Sequence, residues 1–81
     1  MLDGVPLGMP SLLLAEKLLG RARRVGVAVA PAPVVPDDEE ALGDQLLAIV
    51  AAAEAKGLDA ERALRCRLRR LQEDIRTAES H

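Results

Sequence analysis

Residues 60–78 read AERALRCRLRRLQEDIRTA and carry the clearest structural pattern in the chain. Their apolar positions step by four, three, four and three residues, which is heptad spacing on one face of an α-helix. These positions are Leu64, Leu68, Leu71, Ile75 and Ala78. Asp59 precedes the pattern as an N-cap candidate. About two heptads are too few for an independent coiled coil, so this face is predicted to dock on another helix.

Residues 11–25 are predicted to form an earlier helix, because apolar side chains recur there on one helical face. Its face consists of Leu14, Leu18, Ala22 and Val25. Ser11 stands just before the apolar run as the predicted N-cap. Gly26 follows the basic last turn and is the predicted stop, since glycine readily ends a helix.

Residues 38–56 are predicted to form the middle helix. Asp37 followed by Glu40 is similar to a capping box at its start, and Lys56-Gly57 closes it. Its apolar stripe steps by four, three and four residues, with Val50 widening it: Leu42, Leu46, Ile49 and Ala53. Gly43 lies inside this helix at a cost of about 1 kcal/mol, which predicts a close helix crossing or an inherited site there.

The remaining segments are predicted to be irregular. Residues 1–10 hold two glycines and two prolines and form a lead-in. Residues 26–36 include Pro31, Pro33 and Pro36, which forbid a helix, so an extended connector lying across apolar surface is expected. The sequence therefore predicts an all-α fold over a single domain, residues 1–81, with helices at about 11–25, 38–56 and 60–78.

The composition favours self-association. The 81 residues are 49% apolar but include no Phe, Tyr or Trp, so the core must be built from smaller aliphatic side chains. A chain of this size hides only about 60–65% of its unfolded surface, which leaves one copy marginally stable. Cys66 is the single cysteine and His81 the single histidine, which excludes an intrachain disulfide and a structural zinc cage. We therefore expect a helical bundle completed by a homodimer or a larger homo-oligomer.

The charge balance argues against several classes of partner. Eleven basic and thirteen acidic side chains give a formal charge of −2, whereas a nucleic-acid binder carries a strongly basic surface. No apolar run reaches the roughly 18 residues that span a bilayer. The start carries Asp3 in place of a basic segment, which is unlike a signal peptide. We therefore expect a cytoplasmic protein without nucleic-acid or membrane partners.

Three blocks of sequence resemble MazG-type nucleoside triphosphate pyrophosphohydrolases, and specifically their C-terminal catalytic domain. The first is LDGVP…MPSLLLAEKLLGRARRVG, the second is EEALGDQLLAIVAAAEAKGLDAERALR, and the third is the basic closing helix. In the second block, residues 40–44 (EALGD) stand where the family has Glu-Glu-Leu-Gly-Asp. The resemblance implies a helical fold, Mg²⁺ as cofactor and a nucleoside triphosphate as ligand.

The chain departs from this family at the metal site, so it resembles a shortened and degenerate member. The family holds the metal with a Glu-x-x-Glu pair on one helix and a Glu-x-x-Asp pair on the next, but no Asp or Glu lies between Lys17 and Pro36 here. Ala41 fills one position of the second pair. Glu40 and Asp44 are then the metal-ligand candidates, and water and phosphate would have to complete the six oxygens that Mg²⁺ requires.

Basic side chains are the candidates for binding nucleotide phosphate, because guanidinium groups grip phosphate with two hydrogen bonds. The candidates are Lys17, Arg21, Arg69 and Arg70. The alternative is a solvated face that pairs with acidic neighbours such as Glu61, Glu73 and Asp74. Cys66 is interpreted as a small, partly buried residue, since nothing nearby in sequence marks a nucleophile's base.

Three functions remain open from the residues alone. The first is a MazG-like domain with weak or no pyrophosphohydrolase activity, because the first metal-ligand helix is absent. The second is a structural helical dimerisation module without nucleotide chemistry. The third is an active, Mg²⁺-dependent nucleoside triphosphate pyrophosphohydrolase whose site is assembled between subunits.

Overall fold

The computed structural model describes residues 10–80, and within that range the chain is all-helical without a strand. The helices are α1 (Ser11–Arg24), α2 (Glu39–Ala55) and α3 (Ala60–Glu79), which confirms the predicted fold class. The lead-in predicted over residues 1–10 lies outside the described residues except for Pro10. The chain divides into two compact units, one made of residues 30–63 and the other of the segments on either side.

The N-cap of α1 is Pro10, and not Ser11 as predicted. Pro10 has an extended backbone (φ −58°, ψ 146°), and its carbonyl accepts the Leu14 amide at 2.9 Å. Ser11 is therefore the first helical residue, and it is buried. Helix α1 ends at Arg24, and the predicted stop, Gly26, follows the C-cap with φ 79°. The Val27 amide reaches back to the Ala22 carbonyl at 2.9 Å, as in a Schellman C-cap.

Helix α2 begins one residue later than predicted. Asp38 is the N-cap, and its Oδ1 accepts the Ala41 amide at 2.8 Å. A reciprocal capping-box bond would need a Glu or Gln at position 41, so the box expected from Asp37 and Glu40 does not form. The helix ends at Ala55. Gly57, just after the C-cap, adopts φ 75°, and the Leu58 amide donates to the Ala53 carbonyl at 2.9 Å.

Helix α3 follows directly and is capped as its sequence predicts. Asp59 Oδ1 accepts the Arg62 amide at 2.9 Å, and the Asp59 carbonyl accepts the Ala63 amide at 2.9 Å. Both bonds satisfy amides of the first helical turn that have no partner within the helix. Only a short corner, residues 56–59, separates the two helices, so the glycine stop and the aspartate cap together define it.

The hydrophobic core lies between α1 and α3. Leu18 and Ile75 are its largest fully buried side chains, with 0% and 2% of their surface exposed. The complete core is Leu14, Leu18 and Ala22 from α1 with Leu68, Leu71 and Ile75 from α3. The heptad face of α3 therefore docks on another helix as expected, and that helix is α1 of the same chain.

The proline-rich connector packs against this core at Val27, near its start. Val25, the residue before the preceding glycine, and Val27 are both half-buried there. Val34 and Val35, further along, are exposed. The expectation that the whole segment lies across apolar surface is therefore wrong beyond Val27. Three prolines remove backbone donors here, so the segment is irregular and leaves these valines unpacked.

The apolar stripe of α2 is more exposed to solvent than that of α3. None of residues 39–55 is buried. Leu46 and Ile49 expose 37% and 56% of their surface, and Leu47 and Val50 expose 67% and 47%. The periodicity predicted the helix correctly, but one copy of the chain covers its apolar side chains only in part, since Leu42 and Ala53 are half-buried while Leu46 and Ile49 are exposed. The division into two compact units does not test the predicted single domain over residues 1–81, which stays a prediction.

Candidate functional site

Glu40 and Asp44 lie in the first two turns of α2, on one side of the helix. A spacing of four residues places two side chains one above the other on a helix surface. Both residues are exposed, and they line one open depression together with Asp38 and Ala41. The structure thus places the two predicted metal-ligand candidates in one depression, together with the carboxylate of Asp38, which is not among the predicted ligands.

The electrostatics of the amino end of α2 explains the acidic side chains there without a bound metal ion. The amino end of a helix carries a partial positive charge, so carboxylates in its first turn are stabilised by about 0.3–1 kcal/mol each. Glu39 and Glu40 occupy that turn. Asp38 uses Oδ1 to accept the Ala41 amide, which leaves its second oxygen for another partner. The depression therefore offers exposed carboxylate oxygens but no enclosing wall.

The fit to Mg²⁺ is incomplete in a single copy. Mg²⁺ requires six oxygens in near-octahedral array. Within residues 10–80, no group of three or more His, Cys, Asp or Glu side chains is placed to hold a metal ion. Glu40 and Asp44 would contribute two ligands, so phosphate oxygens and water would have to supply the others.

The four phosphate-binding candidates belong to the unit that contains α1. Lys17 is exposed on α1, and Arg69 and Arg70 are exposed on α3. Arg21 is already engaged, because its Nη2 donates to both carboxylate oxygens of Glu79, at 3.2 and 2.9 Å. Adjacent residues of a helix point about 100° apart, so Arg69 and Arg70 leave α3 in different directions.

A narrow crevice beside the core contains residues that the sequence pattern did not single out. It is lined by Leu18, Arg21, Gln72, Ile75 and Arg76. Gln72 is buried, although its only signal in the sequence is its position between Leu68 and Ile75 at helical spacing. The Arg21–Glu79 pair gave no signal, because the two residues are 58 positions apart.

Cys66 is exposed on α3 and forms no disulfide, so the interpretation of a partly buried side chain is wrong. Its position on the helix explains the difference. Cys66 lies two residues before Leu68, and two residues turn an α-helix by about 200°, so its side chain points away from the core face.

The comparisons with known proteins give one relative and no named function. The chain is 44% identical over 77 residues to an uncharacterized 26.1 kDa protein in the blaB 3′ region of Streptomyces cacaoi. The match covers 95% of this chain but 30% of the relative, so the chain spans less than a third of that protein's length. No family model matches the sequence, and no solved structure matches it.

None of the helices among residues 10–80 has the length and apolar content needed to cross a bilayer. Helix α2 is the most apolar of the three, because alanine and larger aliphatic residues make up most of its sequence. It carries acidic residues at both ends and in its second turn, namely Glu39, Glu40, Asp44 and Glu54. Exposed aliphatic side chains lie on more than one side of α2, Leu47 and Ile49 among them, so this helix is less one-sided than α1 or α3.

Proposed function

We propose that this chain is a helical association module that pairs with a second copy of itself through α2. The observation that carries the proposal is the contrast between the helices. Helices α1 and α3 bury six core side chains against each other, whereas none of residues 39–55 is buried. Large aliphatic side chains nevertheless recur on α2, with Leu46, Ile49 and Val50 each more than a third exposed.

Two physical arguments support pairing. Contiguous exposed apolar surface on a small protein typically marks an interaction site. Burying one such aliphatic side chain stabilises an assembly by about 1.5–3 kcal/mol. A domain of this size also gains from self-association, because its own core is small. A bundle in which a second copy covers α2 satisfies both requirements.

Sedimentation equilibrium tests this proposal directly. The chain has no Tyr or Trp, so interference optics are required in place of absorbance at 280 nm. We expect a monomer–dimer equilibrium in the micromolar range, with a mass approaching twice 8.6 kDa as concentration rises. A protein that remains monomeric at millimolar concentration would contradict the association function.

A second candidate function is a cytoplasmic, MazG-like domain that binds a nucleoside triphosphate with Mg²⁺ weakly and hydrolyses it slowly or not at all. Its support is the resemblance together with one structural observation: Glu40, Asp44 and Asp38 line the same depression. These residues would contact the cation, while the nucleotide would supply the phosphate oxygens that complete its coordination. The active-enzyme alternative needs further carboxylates from another subunit.

Calorimetry and a pyrophosphate-release assay separate these possibilities. Mg²⁺ with each common nucleoside triphosphate is titrated into the wild-type chain, Asp44→Ala and, as a matched control, Glu54→Ala, which removes a carboxylate from the other end of α2. We expect binding in the millimolar range, lost in Asp44→Ala and kept in Glu54→Ala, with negligible turnover. Absence of binding would eliminate the nucleotide function, whereas turnover that Asp44→Ala abolishes would favour the active enzyme.

A further inference from the structure

From the residues of α2 we infer that two copies pair through antiparallel α2 helices, around a two-fold axis between Leu46 and Ile49. The inference rests on the proposed self-association and specifies its geometry. It depends on three properties of α2: the spacing of its apolar residues, the charges at the ends of its seam, and the exposure of the side chains at its centre.

The spacing along α2 is the same in both directions. The seam consists of Glu39, Leu42, Leu46, Ile49, Ala53 and Lys56, with steps of three, four, three, four and three residues. Reversing this order returns the same steps, so an antiparallel copy can align every seam position. Leu46 then faces the partner's Ile49, and Leu42 faces the partner's Ala53. Each end of the interface thus pairs one large and one small side chain, which suits close packing.

The charges select the antiparallel orientation. At the ends of the seam, Glu39 faces the partner's Lys56, and the two-fold axis generates this pair twice. A parallel pair would instead bring Glu39 close to the partner's Glu39. The antiparallel arrangement also places the positive amino end of each helix beside the negative carboxyl end of the other. Electrostatics and apolar spacing therefore favour the same geometry.

The central side chains are available for this contact. Leu46 and Ile49 are 37% and 56% exposed in one copy, whereas Leu42 and Ala53 at the flanks are already half-buried. With 100° of rotation per residue, Glu40 and Asp44 fall on the side of α2 opposite the seam. The pairing therefore leaves their depression open and does not gather the four carboxylates of two copies into one metal site.

The first test replaces one exposed leucine or isoleucine at a time. Ile49→Lys places a charge in the centre of the seam, and Leu47→Lys places the same charge about 130° away from it. Both residues are exposed in one copy, Leu47 more than Ile49. Neither substitution disturbs the core, so both variants should keep their helical circular dichroism. We expect the dimer dissociation constant to rise about 100-fold for Ile49→Lys and less than threefold for Leu47→Lys. Equal weakening by the two variants would overturn the register.

The second test reverses the end charges. Glu39→Lys and Lys56→Glu should each weaken homodimerisation by roughly tenfold, because each replaces two attractive pairs by two repulsive ones. Mixing the two variants should restore wild-type affinity, since the mixed dimer regains opposite-charge pairing at its ends. A mixture that binds no better than either variant alone would contradict the antiparallel pairing of positions 39 and 56.

The third test measures orientation by pulsed electron paramagnetic resonance, in a Cys66→Ser background with one spin label per chain. Labels at Ala48→Cys and Ala55→Cys lie on similar sides of α2, away from the seam. In the antiparallel register, the two copies of residue 48 are level along the helix axis, whereas the two copies of residue 55 lie about 22 Å apart along it. We expect the distance at position 55 to be longer by about 10 Å.

The outcomes of the labelling test separate the two proposals. A longer distance at position 55 supports the register. A dimer with equal distances at both positions overturns the antiparallel arrangement while leaving self-association intact. An unlabelled wild-type chain that stays monomeric at millimolar concentration overturns both proposals.

Discussion

Arg21 and Glu79 join the last turn of α1 to the last turn of α3, with Nη2 of the arginine 2.9 Å from Oε2 of the glutamate. The carboxyl ends of the two helices therefore lie on the same side of their shared core. About one turn earlier in each helix, Leu18 and Ile75 are fully buried in the core. Arg21 is thus a structural contact in the described chain, and a phosphate ligand would have to compete with Glu79 for it.

Removing the charge of Glu79 should destabilise the fold only slightly. The Arg21 and Glu79 side chains are 28% and 39% exposed, and exposed ion pairs typically contribute about 0.2–1 kcal/mol. We expect Glu79→Gln to lower the free energy of unfolding by no more than about 1 kcal/mol, measured by urea titration with far-ultraviolet circular dichroism. The difference from wild type should shrink in high salt, because salt screens exposed charges.

Glu73→Gln is the matched control for this prediction. Glu73 lies on the same helix and is exposed, so its substitution removes one negative charge without removing the Arg21 contact. We expect the control to change stability by less than Glu79→Gln does. Equal and salt-insensitive losses in the two variants would show that the Arg21–Glu79 contact contributes nothing measurable.

Leu18→Ala should be among the most destabilising substitutions in the chain. Leu18 has no exposed surface, and truncation of a buried leucine costs about 2–5 kcal/mol through lost burial and the cavity left behind. Leu12→Ala, on the same helix but 57% exposed, should cost less than about 1 kcal/mol. Urea unfolding measures both. Similar losses at the two positions would contradict the packing of α1 against α3.

The N-cap of α3 can be tested against a neighbouring acidic residue. Asp59→Ala removes the side chain that accepts the Arg62 amide, and loss of such a cap typically costs about 0.5–2 kcal/mol. Asp37→Ala removes an equal charge just outside α2, where Asp38 holds the cap instead. We expect Asp59→Ala to lower the urea midpoint and Asp37→Ala to leave it nearly unchanged. The reverse order would place the α2 cap at Asp37.

Local rules accounted for most of the secondary structure. Gly26 and Gly57 end their helices with positive φ, and Asp59 caps α3, because each effect depends on a few neighbouring residues. The prediction of an N-cap at Ser11 is wrong, because the N-cap residue Pro10 uses its backbone carbonyl and extended ψ rather than a side chain. The spacing of Glu40 and Asp44 likewise placed them on one face, as helix geometry requires.

Contacts between distant residues were not predictable from these rules. The stripes of α2 and α3 have similar periodicity, yet Leu71 is buried and Ile49 is exposed. Periodicity shows which side of a helix is apolar, but not which surface covers it. The sequence offers Arg21 as a phosphate-binding candidate but not its pairing with Glu79, because the two residues are 58 positions apart. Only the packing of α1 on α3 brings that pair together.

A substitution at Gly43 tests whether a single copy of the chain needs a glycine at this position of α2. The sequence predicts a close helix crossing or an inherited site there, and among the described residues nothing lies within 4 Å of a Cβ built at this position, so no close crossing is present. Gly43→Ala should therefore stabilise the chain by up to about 1 kcal/mol, because alanine is the better helix former. The measurement is urea unfolding at a concentration where monomers predominate, so that α2 pairing does not contribute.

Gly57→Ala is the control for Gly43→Ala, since the space around its Cβ position is equally open. Its backbone differs, because Gly57 adopts φ 75°, a left-handed conformation that costs alanine about 1 kcal/mol or more. We expect Gly57→Ala to destabilise the chain while Gly43→Ala stabilises it. If Gly43→Ala also destabilises the monomer, a neighbour from the same chain must approach α2 at that point. If Gly43→Ala weakens only the dimer, the partner copy approaches α2 so closely at this position that no side chain can be accommodated.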